Sequence, residues 1–424
     1  MTSVVSRFWG SAALSWTHVS GAVPGWRFLG GLDLVKRFLR FRPASHRRVV
    51  ARLPASSTAP VRRVGALGCW FLIGLLPAAC TTPPAPLPGG HRVTNTTEQR
   101  PALFDYRGLL HLHSQFSHDS EGTLDDVLDA AALAGADFVW ITDHGNRNAA
   151  RWQGMHDDLL VLVGQEWSQP EGHLVVLGSP DIEDTNDTAQ VLREAWTEGG
   201  LGVISHPDST EKPWSDDRRL DAEVSGMELL NVATMIGQRS AGLVLRLPWM
   251  LFSPTSALRS LVERPDANLA DWDRRLRQRP VTGVSAADRH FHWYLPFVGV
   301  ERITSTHVLA PALTETDVLD ALRAGRAYVA FECFGNATGF DLHVVTPEGR
   351  REMGETVALD GARLHVHVPK PARVDVFRDG ERWVTRMGEG AMEFAPPGAG
   401  VYRVEVYRDD RPWILSNPVY LKTR

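Results

Sequence analysis

Two hydrophobic patterns follow one another along the chain. Between residues 105 and 335, short apolar runs alternate with helical stretches, as in TLDDVLDAAALAGA followed by DFVWITDH. Alternating strands and helices are typical of an α/β fold with a mostly parallel sheet. The helix over 123–135 has clear ends, because Thr123 with Asp126 three residues on is a plausible cap and Gly135 stops it. We therefore predict an α/β domain over 105–335.

The second pattern begins after Gly339. Runs such as FDLHVV, ARLHVHV and VYRVEVYRDD alternate apolar and polar residues and are separated by Gly, Pro and Asp. This pattern predicts a small antiparallel β-sandwich domain over 338–424. Within the first domain, residues 233–280 break the alternation of strands and helices. We expect them to be a helical insertion.

The first 60 residues form a basic leader without clear periodicity. Residues 1–63 contain ten arginines and Lys36 against a single acid, Asp33. One interpretation is an upstream over-extension of the reading frame, with the true start near Val61. The alternative is a real basic, acid-poor targeting segment.

Residues 61–80 have the layout of a secretory signal peptide. Arg62 and Arg63 precede the apolar run Val64–Leu76, and small residues precede Cys80. The run is shorter than the about 20 residues that span a bilayer. The residues before Cys80 resemble a bacterial lipobox, which implies cleavage before this cysteine and a lipid attached to it.

These features predict a lipoprotein of the periplasm or cell envelope, anchored in the membrane through Cys80. Ordinary secretory cleavage and a buried hydrophobic helix are the alternatives. Residues 81–104 are rich in Pro, Thr and Gly, and predict an extended tether.

The composition narrows the class of protein. The chain has 424 residues, of which 43% are hydrophobic and 22% charged, as in soluble globular domains. The net charge of -5 does not suggest a nucleic-acid partner, and we expect none. Cleavage would remove Cys69 and lipidate Cys80. Cys333 would remain alone, so no disulfide framework is expected.

Metal-capable side chains cluster where the predicted strands of the first domain end. His111 and His113 end the first strand, and residues i and i+2 of a strand share a face. Further strand ends carry Asp143, His144, Glu166, His206, Asp288 and His290. His173 is the exception, because it opens its strand. In an α/β barrel such ends meet at one face, where active sites form.

A second HxH pair serves as an internal comparison. His365 and His367 lie in the predicted sandwich without companions of this kind. We interpret them as one face of an ordinary strand.

The motifs HLHSQFSHDS, ITDHGN, GQE, EGHLVVLG, ISHP and AADRH follow one another in this order. In this set the chain resembles the PHP (polymerase and histidinol phosphatase) superfamily. The trailing sandwich and the exported N-terminus resemble its CehA/McbA-type branch. The resemblance covers roughly residues 105–424 and implies a distorted (β/α)7 PHP barrel with a multinuclear metal site.

The resemblance also implies a ligand set. His111, His113, Glu166 and Asp288 would hold one metal, and Glu166 would bridge to a second that is held also by His173 and His206. A third would take Asp119, His144 and His290. Asp119 is preferred over His118, and Asp143 is expected to orient a neighbour instead of binding metal.

Imidazole and carboxylate ligands without thiolate suit Zn, Mn or Fe, so we expect two or three divalent ions as cofactors. A metal-activated hydroxide would then attack phosphorus or an acyl carbon. The catalytic residues expected are Glu166, Asp288, His206 and Arg289. Arg147 is a further candidate for contact with substrate, and His292 is a candidate for protonating a leaving group.

The favoured function is a metal-dependent phosphoesterase acting on a small phosphorylated molecule. A carbamate, ester or amide hydrolase with the same site is the first alternative. A catalytically inactive surface binding protein is the second, although all nine motif positions hold a competent side chain.

Overall fold

The computed structural model describes residues 91–93, 101–178, 182, 185–215, 220–221, 223–239, 254–290 and 299–423. The predicted leader, signal peptide, Cys80 and most of the tether lie outside these ranges, as do His292 and Trp293. All described residues belong to one compact unit.

Six α-helices are described. They are α1 (Leu124–Ala134), α2 (Thr188–Thr197), α3 (Val232–Gln238), α4 (Pro254–Arg259), α5 (Asp266–Leu276) and α6 (Glu315–Arg323). Single 3₁₀ turns occur at Asn148–Trp152, Val300–Arg302 and Glu332–Phe334. Helices α3, α4 and α5 lie in or next to the predicted insertion.

Helix α1 has the ends that the sequence predicts. Thr123 and Asp126 form a complete capping box, in which each side chain accepts a hydrogen bond from the backbone of the other. Gly135 ends the helix in the left-handed conformation at φ 73°, which glycine adopts without strain.

The described residues also form twenty strands, numbered in chain order. Those of the first half are β1 (His91–Arg92), β2 (Phe104–Leu112), β3 (Phe138–Ile141), β4 (Gly154–His156), β5 (Leu159–Val163), β6 (Gln165–Gln169), β7 (Gly172–Leu177), β8 (Leu201–Ile204), β9 (Gly226–Asn231) and β10 (Thr282–Ala286). The others are β11 (Ser305–Ala310), β12 (Ala327–Ala330), β13 (Asp341–Thr346), β14 (Gly349–Glu352), β15 (Thr356–Ala358), β16 (Arg363–Arg378), β17 (Glu381–Phe394), β18 (Gly400–Arg408), β19 (Arg411–Ser416) and β20 (Val419–Lys422).

The strands form two sheets of mixed direction. One has the order β14-β13-β16-β18-β19-β12-β11-β2-β3-β5-β4, and the other β10-β9-β8-β7-β6. Parallel pairing joins β2, β3 and β5 in the first sheet, and β8, β9 and β10 in the second. The pairs β2–β11, β6–β7 and β7–β8 are antiparallel. The α/β class agrees with the prediction, but the sheets are mixed instead of mostly parallel.

Glu166, expected at a strand end, lies instead within a second strand, because the run LLVLVGQE forms two strands in different sheets. Gly164 separates β5 from β6, and a Cβ at this position would lie 2.3 Å from the carbonyl oxygen of Val176. Strands β6 and β7 are joined by Pro170 and Glu171 alone. A link this short permits only antiparallel pairing.

Two isolated backbone bridges among the described residues join the two sheets. Leu112 at the end of β2 bridges to Arg289 after β10, and His144 after β3 bridges to Glu166 in β6. Backbone hydrogen bonds reinforce both seams, from His113 N to Arg289 O and from Gly145 N to Glu166 O. Strand pairing among the described residues is not a continuous ring, so a closed (β/α)7 barrel is not shown.

Residues 338–423 contain strands and no helix, as predicted. Hydrogen bonding crosses the predicted domain boundary, because β12 pairs with β19 between Val329 and Leu415. The C-terminal strands therefore continue the first sheet of the α/β part, and a separate sandwich domain stays a prediction.

Apolar side chains fill the space between the sheets and helices. Trp140, Trp272 and Trp413 are among the largest fully buried residues. In the described part of the chain, no helix combines the length and the apolarity that crossing a membrane requires.

Candidate metal centre

Glu166 lies at the centre of the candidate site and is 1% exposed. Its Oε2 lies 3.0 Å from His111 Nε2, 3.2 Å from His113 Nε2 and 3.3 Å from His144 Nδ1. Its Oε1 lies 2.8 Å from His173 Nδ1 and 3.1 Å from His206 Nε2. Five imidazoles thus surround one carboxylate, divided between its two oxygens.

Strand β2 brings the first two imidazoles to this carboxylate. Leu109, Leu110 and Leu112 are buried, and they fix the end of the strand in the core. The pairing of β2 with β3 shifts register between Leu109 and Leu112. His111, inside this irregularity, has φ 60°. The predicted convergence of His111 and His113 is what the structure shows.

Asp288 approaches the same imidazoles from the end of β10. Its Oδ1 lies 3.4 Å from His113 Nε2, 3.6 Å from His111 Nε2 and 3.5 Å from His290 Nδ1. The carboxylates of Asp288 and Glu166 therefore face one pair of imidazole nitrogens.

Asp119 forms the outer part of the site. Its Oδ2 lies 3.1 Å from His144 Nε2 and 3.2 Å from His290 Nε2. His118 is farther, with Nε2 at 3.9 Å from the same oxygen and a side chain that is 75% exposed. The geometry favours Asp119 over His118 as the ligand from this loop.

Three groups of side chains are close enough to hold an ion, with candidate ligand atoms within 4.8 Å of one another. The groups are His113, Asp119, His144 and His290; His111, His113 and Glu166; and His144, Glu166 and His173. They share members, so the site suits a cluster of ions. His206 and Asp288 complete its lining through their contacts with Glu166, His111 and His113.

Unpartnered buried atoms test whether ions fit this lining. Nε2 of His111 and Nε2 of His113 approach carboxylate oxygens without an aligned hydrogen bond, and Nδ1 of His206 and Oδ1 of Asp119 are also buried without a hydrogen bond. Buried polar atoms seldom lack a partner, and an ion is one of the accepted reasons. The donors are imidazoles and carboxylates, which suit divalent transition metals. The residues present fit such ions.

The charges of the cluster are strongly coupled. Burial lowers the pKa of His113, but the carboxylates of Asp288 and Glu166 outweigh it and raise the pKa to about 9. Burial raises the pKa of Glu166, but the surrounding histidines outweigh it and hold the pKa well below its usual value. The protein alone therefore favours a protonated His113 beside an ionised Glu166, and cation binding must displace that proton.

Backbone strain accompanies the site. His111, His206 and Asp288 have φ values of 60°, 29° and 48°, a region that residues other than glycine rarely adopt. Such strain collects at functional sites, where surrounding contacts hold it in place.

Asp143 orients the loop after β2, as predicted. Its Oδ1 accepts the backbone N–H of Ser114 at 2.6 Å, and its Oδ2 accepts the Ser114 hydroxyl at 2.7 Å. Ser117 of the same loop lies 3.0 Å from His113 Nδ1 and accepts the backbone N–H of His144 at 3.2 Å. These contacts fix the positions of His113 and His144.

Sequence reasoning missed Glu228, a buried residue of β9 whose Oε1 lies 2.6 Å from His111 Nδ1. The signal was a lone acid in the apolar strand GMELLNV. A buried carboxylate needs a partner, and a histidine ligand is a common one.

Arg289 and Arg147, the two arginines expected to act on substrate, each contact another group of the protein. Arg289 is 6% exposed, with Nε at 3.0 Å from Glu301 Oε1. Arg147 donates from Nη2 to the carbonyl of Val163 at 3.1 Å. Each contact anchors a segment that carries ligands.

The second HxH pair takes the ordinary role expected, and two tryptophans beside the motifs lie in the core. Trp140 and Trp167 are buried core residues. His365 stacks on His343 across the strand pair, and His367 Nδ1 lies 2.9 Å from the Gly339 carbonyl oxygen. Neither belongs to a group of potential ligands among the described residues.

Six of the nine predicted ligand positions lie between His111 and His173. The family comparison applies to this segment. Residues 110–188 match the PHP domain family. The PHP match supports the superfamily resemblance of the motifs, whereas the CehA/McbA-type branch stays a prediction. His206, Asp288 and His290 lie beyond the matched PHP residues and join the site through the fold.

Three similar proteins accompany the PHP match. An uncharacterised protein of Methanocaldococcus jannaschii is 26% identical over 136 residues, covering 29% of this chain and 80% of that protein. A two-domain protein of Bacteroides vulgatus with a known crystal structure, containing a predicted PHP-like metal-dependent phosphoesterase, is 15% identical to this chain. The match covers 74% of this chain and 95% of that protein, with a TM-score of 0.38. PsfC from Pseudomonas syringae is 13% identical to this chain. The match covers 54% of this chain and 91% of PsfC, with a TM-score of 0.37.

Proposed function

We propose that the protein is a metal-dependent hydrolase whose substrates are phosphate esters. The observation that carries this proposal is the buried carboxylate of Glu166 between five imidazoles, with Asp288 and Asp119 completing the cluster. A carboxylate with imidazoles on both oxygens is suited to bridge two divalent ions.

The residues divide into three sets. His111, His113, Glu166 and Asp288 would hold the first ion; Glu166, His173 and His206 the second; and Asp119, His144 and His290 the third. Divalent ions bound in this way lower the pKa of a bound water toward about 7 and stabilise charge on substrate oxygens.

One side of the site is buried, and the other is exposed to solvent. The side chains of His113 and Glu166 are at most 1% exposed, whereas those of Asp119 and His290 are 36% and 22% exposed. Substrate would therefore approach from the side of Asp119. The buried residues exclude bulk water from the other side, which strengthens electrostatic interactions there.

Arg289 takes a positioning role in this proposal. It lies between Asp288 and His290 in the sequence, and its guanidinium contacts Glu301. This anchor holds both neighbouring ligands in place. The charge on a bound phosphate would then be balanced at the ligand cluster itself.

The CehA/McbA resemblance motivates a second substrate class, aryl carbamates, along with esters and amides. Purified full-length protein should be tested on p-nitrophenyl phosphate, bis-p-nitrophenyl phosphate and an aryl carbamate after elemental analysis. Turnover of a phosphate ester that a chelator abolishes supports the proposal. Turnover of the carbamate alone reassigns the substrate class. Protein that cannot be loaded with metal indicates an inactive binding protein.

Export with a lipid on Cys80 is part of the proposal and rests on the sequence of residues 61–80. Expression in a bacterial host with labelled palmitate tests it, with Cys80→Ser as the control. Label in the wild type and none in the variant supports the anchor, whereas an unlabelled protein in the culture medium indicates plain secretion.

A further inference from the structure

Glu228 contacts two of the candidate ligands at once. Its Oε1 lies 2.6 Å from Nδ1 of His111. Its Oε2 accepts the backbone N–H of His206 at 2.7 Å and the side-chain amide of Asn231 at 2.9 Å. The residue is 1% exposed and lies on β9, between the strands that precede His206 and Asp288.

The contact with His111 determines which ring nitrogen is available. Oε2 of Glu228 already accepts two N–H groups, and Oε1 is the acceptor left for His111, so Nδ1 of His111 carries the proton and donates it to Glu228. The lone pair of Nε2 is then left to face Glu166 and Asp288 when the ring is neutral. Nε2 of His111 is also one of the buried atoms without an aligned hydrogen bond.

The contact with His206 acts on the backbone. His206 has φ 29°, a strained value for a residue with a side chain. The hydrogen bond from its N–H to Glu228 holds the backbone in this conformation and points the imidazole at Glu166. One carboxylate thus supports a ligand of the first ion and a ligand of the second.

We propose that Glu228 is a positioning residue that sets the metal affinity of the centre through the tautomer of His111 and the backbone of His206, an inference that rests on the proposed function. Outer carboxylates of this kind typically change metal affinity by about 10- to 100-fold.

The substitution Glu228→Gln separates this role from simple packing, because the two side chains have the same shape. Two donors, His206 N–H and Asn231 Nδ2, face Oε2, so the glutamine oxygen is expected to occupy that position. The glutamine NH₂ group would then face His111 Nδ1 and force it to accept. The ring proton would move to Nε2, the atom needed for an ion.

Glu332 provides a matched control on the same protein. It is a buried carboxylate whose Oε1 lies 2.8 Å from Nε2 of His307 and accepts the Ser305 hydroxyl at 2.8 Å. His307 pairs with Arg107, four residues before His111 on β2, so this pair lies away from the ligands. Glu332→Gln should cost stability without changing metal affinity.

The experiment titrates chelator-treated full-length protein with Zn²⁺ and with Mn²⁺ by calorimetry, and measures thermal unfolding of each variant. We expect Glu228→Gln to bind about 10- to 100-fold more weakly and Glu332→Gln to stay within about 2-fold of wild type. Hydrolysis by Glu228→Gln should need more metal for half-maximal rate and recover its kcat at saturating metal.

Unchanged affinity in Glu228→Gln, or an equal loss in both variants, would overturn the inference and leave the proposed function standing. Wild-type protein that binds neither ion would contradict the proposed function and the inference together. If Glu228→Gln does not fold, Asn231→Ser replaces it, since serine keeps the cap on α3 but loses the donor to Glu228. Unchanged affinity in that variant counts against the inference, and weaker binding supports it.

Discussion

His173 opens its strand, yet its Nδ1 lies 2.8 Å from Oε1 of Glu166. The two residues lie on the β6–β7 hairpin, in which Glu166 pairs with Val175 and His173 with Ser168. Because β7 runs antiparallel to β6, its first residues lie at the end of the sheet where the other strands finish. The antiparallel hairpin thus brings the one exception among the predicted ligands to the site.

The hairpin depends on the glycine that precedes it. Gly164→Ala should lower metal content and activity by at least about 10-fold, because the new Cβ would lie 2.3 Å from the Val176 carbonyl oxygen and push β6 away. Elemental analysis and a phosphate-ester assay measure both effects.

Gly237→Ala is the matched control, since Gly237 lies in α3 with open space around its Cβ position. It should leave activity unchanged and stabilise the protein by up to about 1 kcal/mol. Equal activity in the two variants would show that the hairpin tolerates displacement.

Metal binding at the outer part of the site, around Asp119, should be separable from metal binding around Glu166. Asp119→Asn removes the carboxylate charge between His144 and His290 and should lower the metal content by about one ion per chain, without emptying the residues around Glu166. Elemental analysis of the purified variant gives this number directly.

His118→Ala provides the comparison for Asp119, because its imidazole is exposed and 3.9 Å from the Asp119 carboxylate. Its metal content should equal that of the wild type. A loss of metal in His118→Ala together with full retention in Asp119→Asn would exchange the two assignments.

A pH effect on stability is expected away from the metal centre. Burial lowers the pKa of His307, but the carboxylates of Asp105 and Glu332 outweigh it and raise the pKa to about 9. The folded-state pKa lies above the unfolded one, so the contribution of His307 is complete below about pH 6.5 and is lost as the pH rises through about 9.

The free energy of unfolding should therefore fall between these pH values, by up to about 3 kcal/mol. Urea titrations at pH 6.5 and pH 9.5 measure the change, and the neutral variant His307→Gln should show a smaller one. An equally steep loss in that variant would mean that other groups cause it.

Local signals in the sequence identified much of this structure. Thr123, Asp126 and Gly135 are enough to place helix α1, because capping chemistry acts within one turn. The HxH pair, Asp143 and Asp288 similarly mark the ends of β2, β3 and β10. These features depend on residues that are close together in the chain, so they can be identified directly from the sequence.

Features that depend on the fold could not be inferred in this way. The direction of β7, the pairing of β12 with β19 and the role of Glu228 depend on segments that are far apart in sequence. Periodicity specifies which face of a strand is buried, but not which strand lies beside it.

The most direct test compares metal content and turnover of the wild type with those of Glu166→Gln. The substitution keeps the size of the side chain and removes the charge that five imidazoles share. We predict loss of most bound metal and at least about 10²-fold loss of phosphate-ester turnover, beyond the 10- to 100-fold typical of outer residues. Full metal content and an unchanged rate in Glu166→Gln would contradict the central role of this carboxylate.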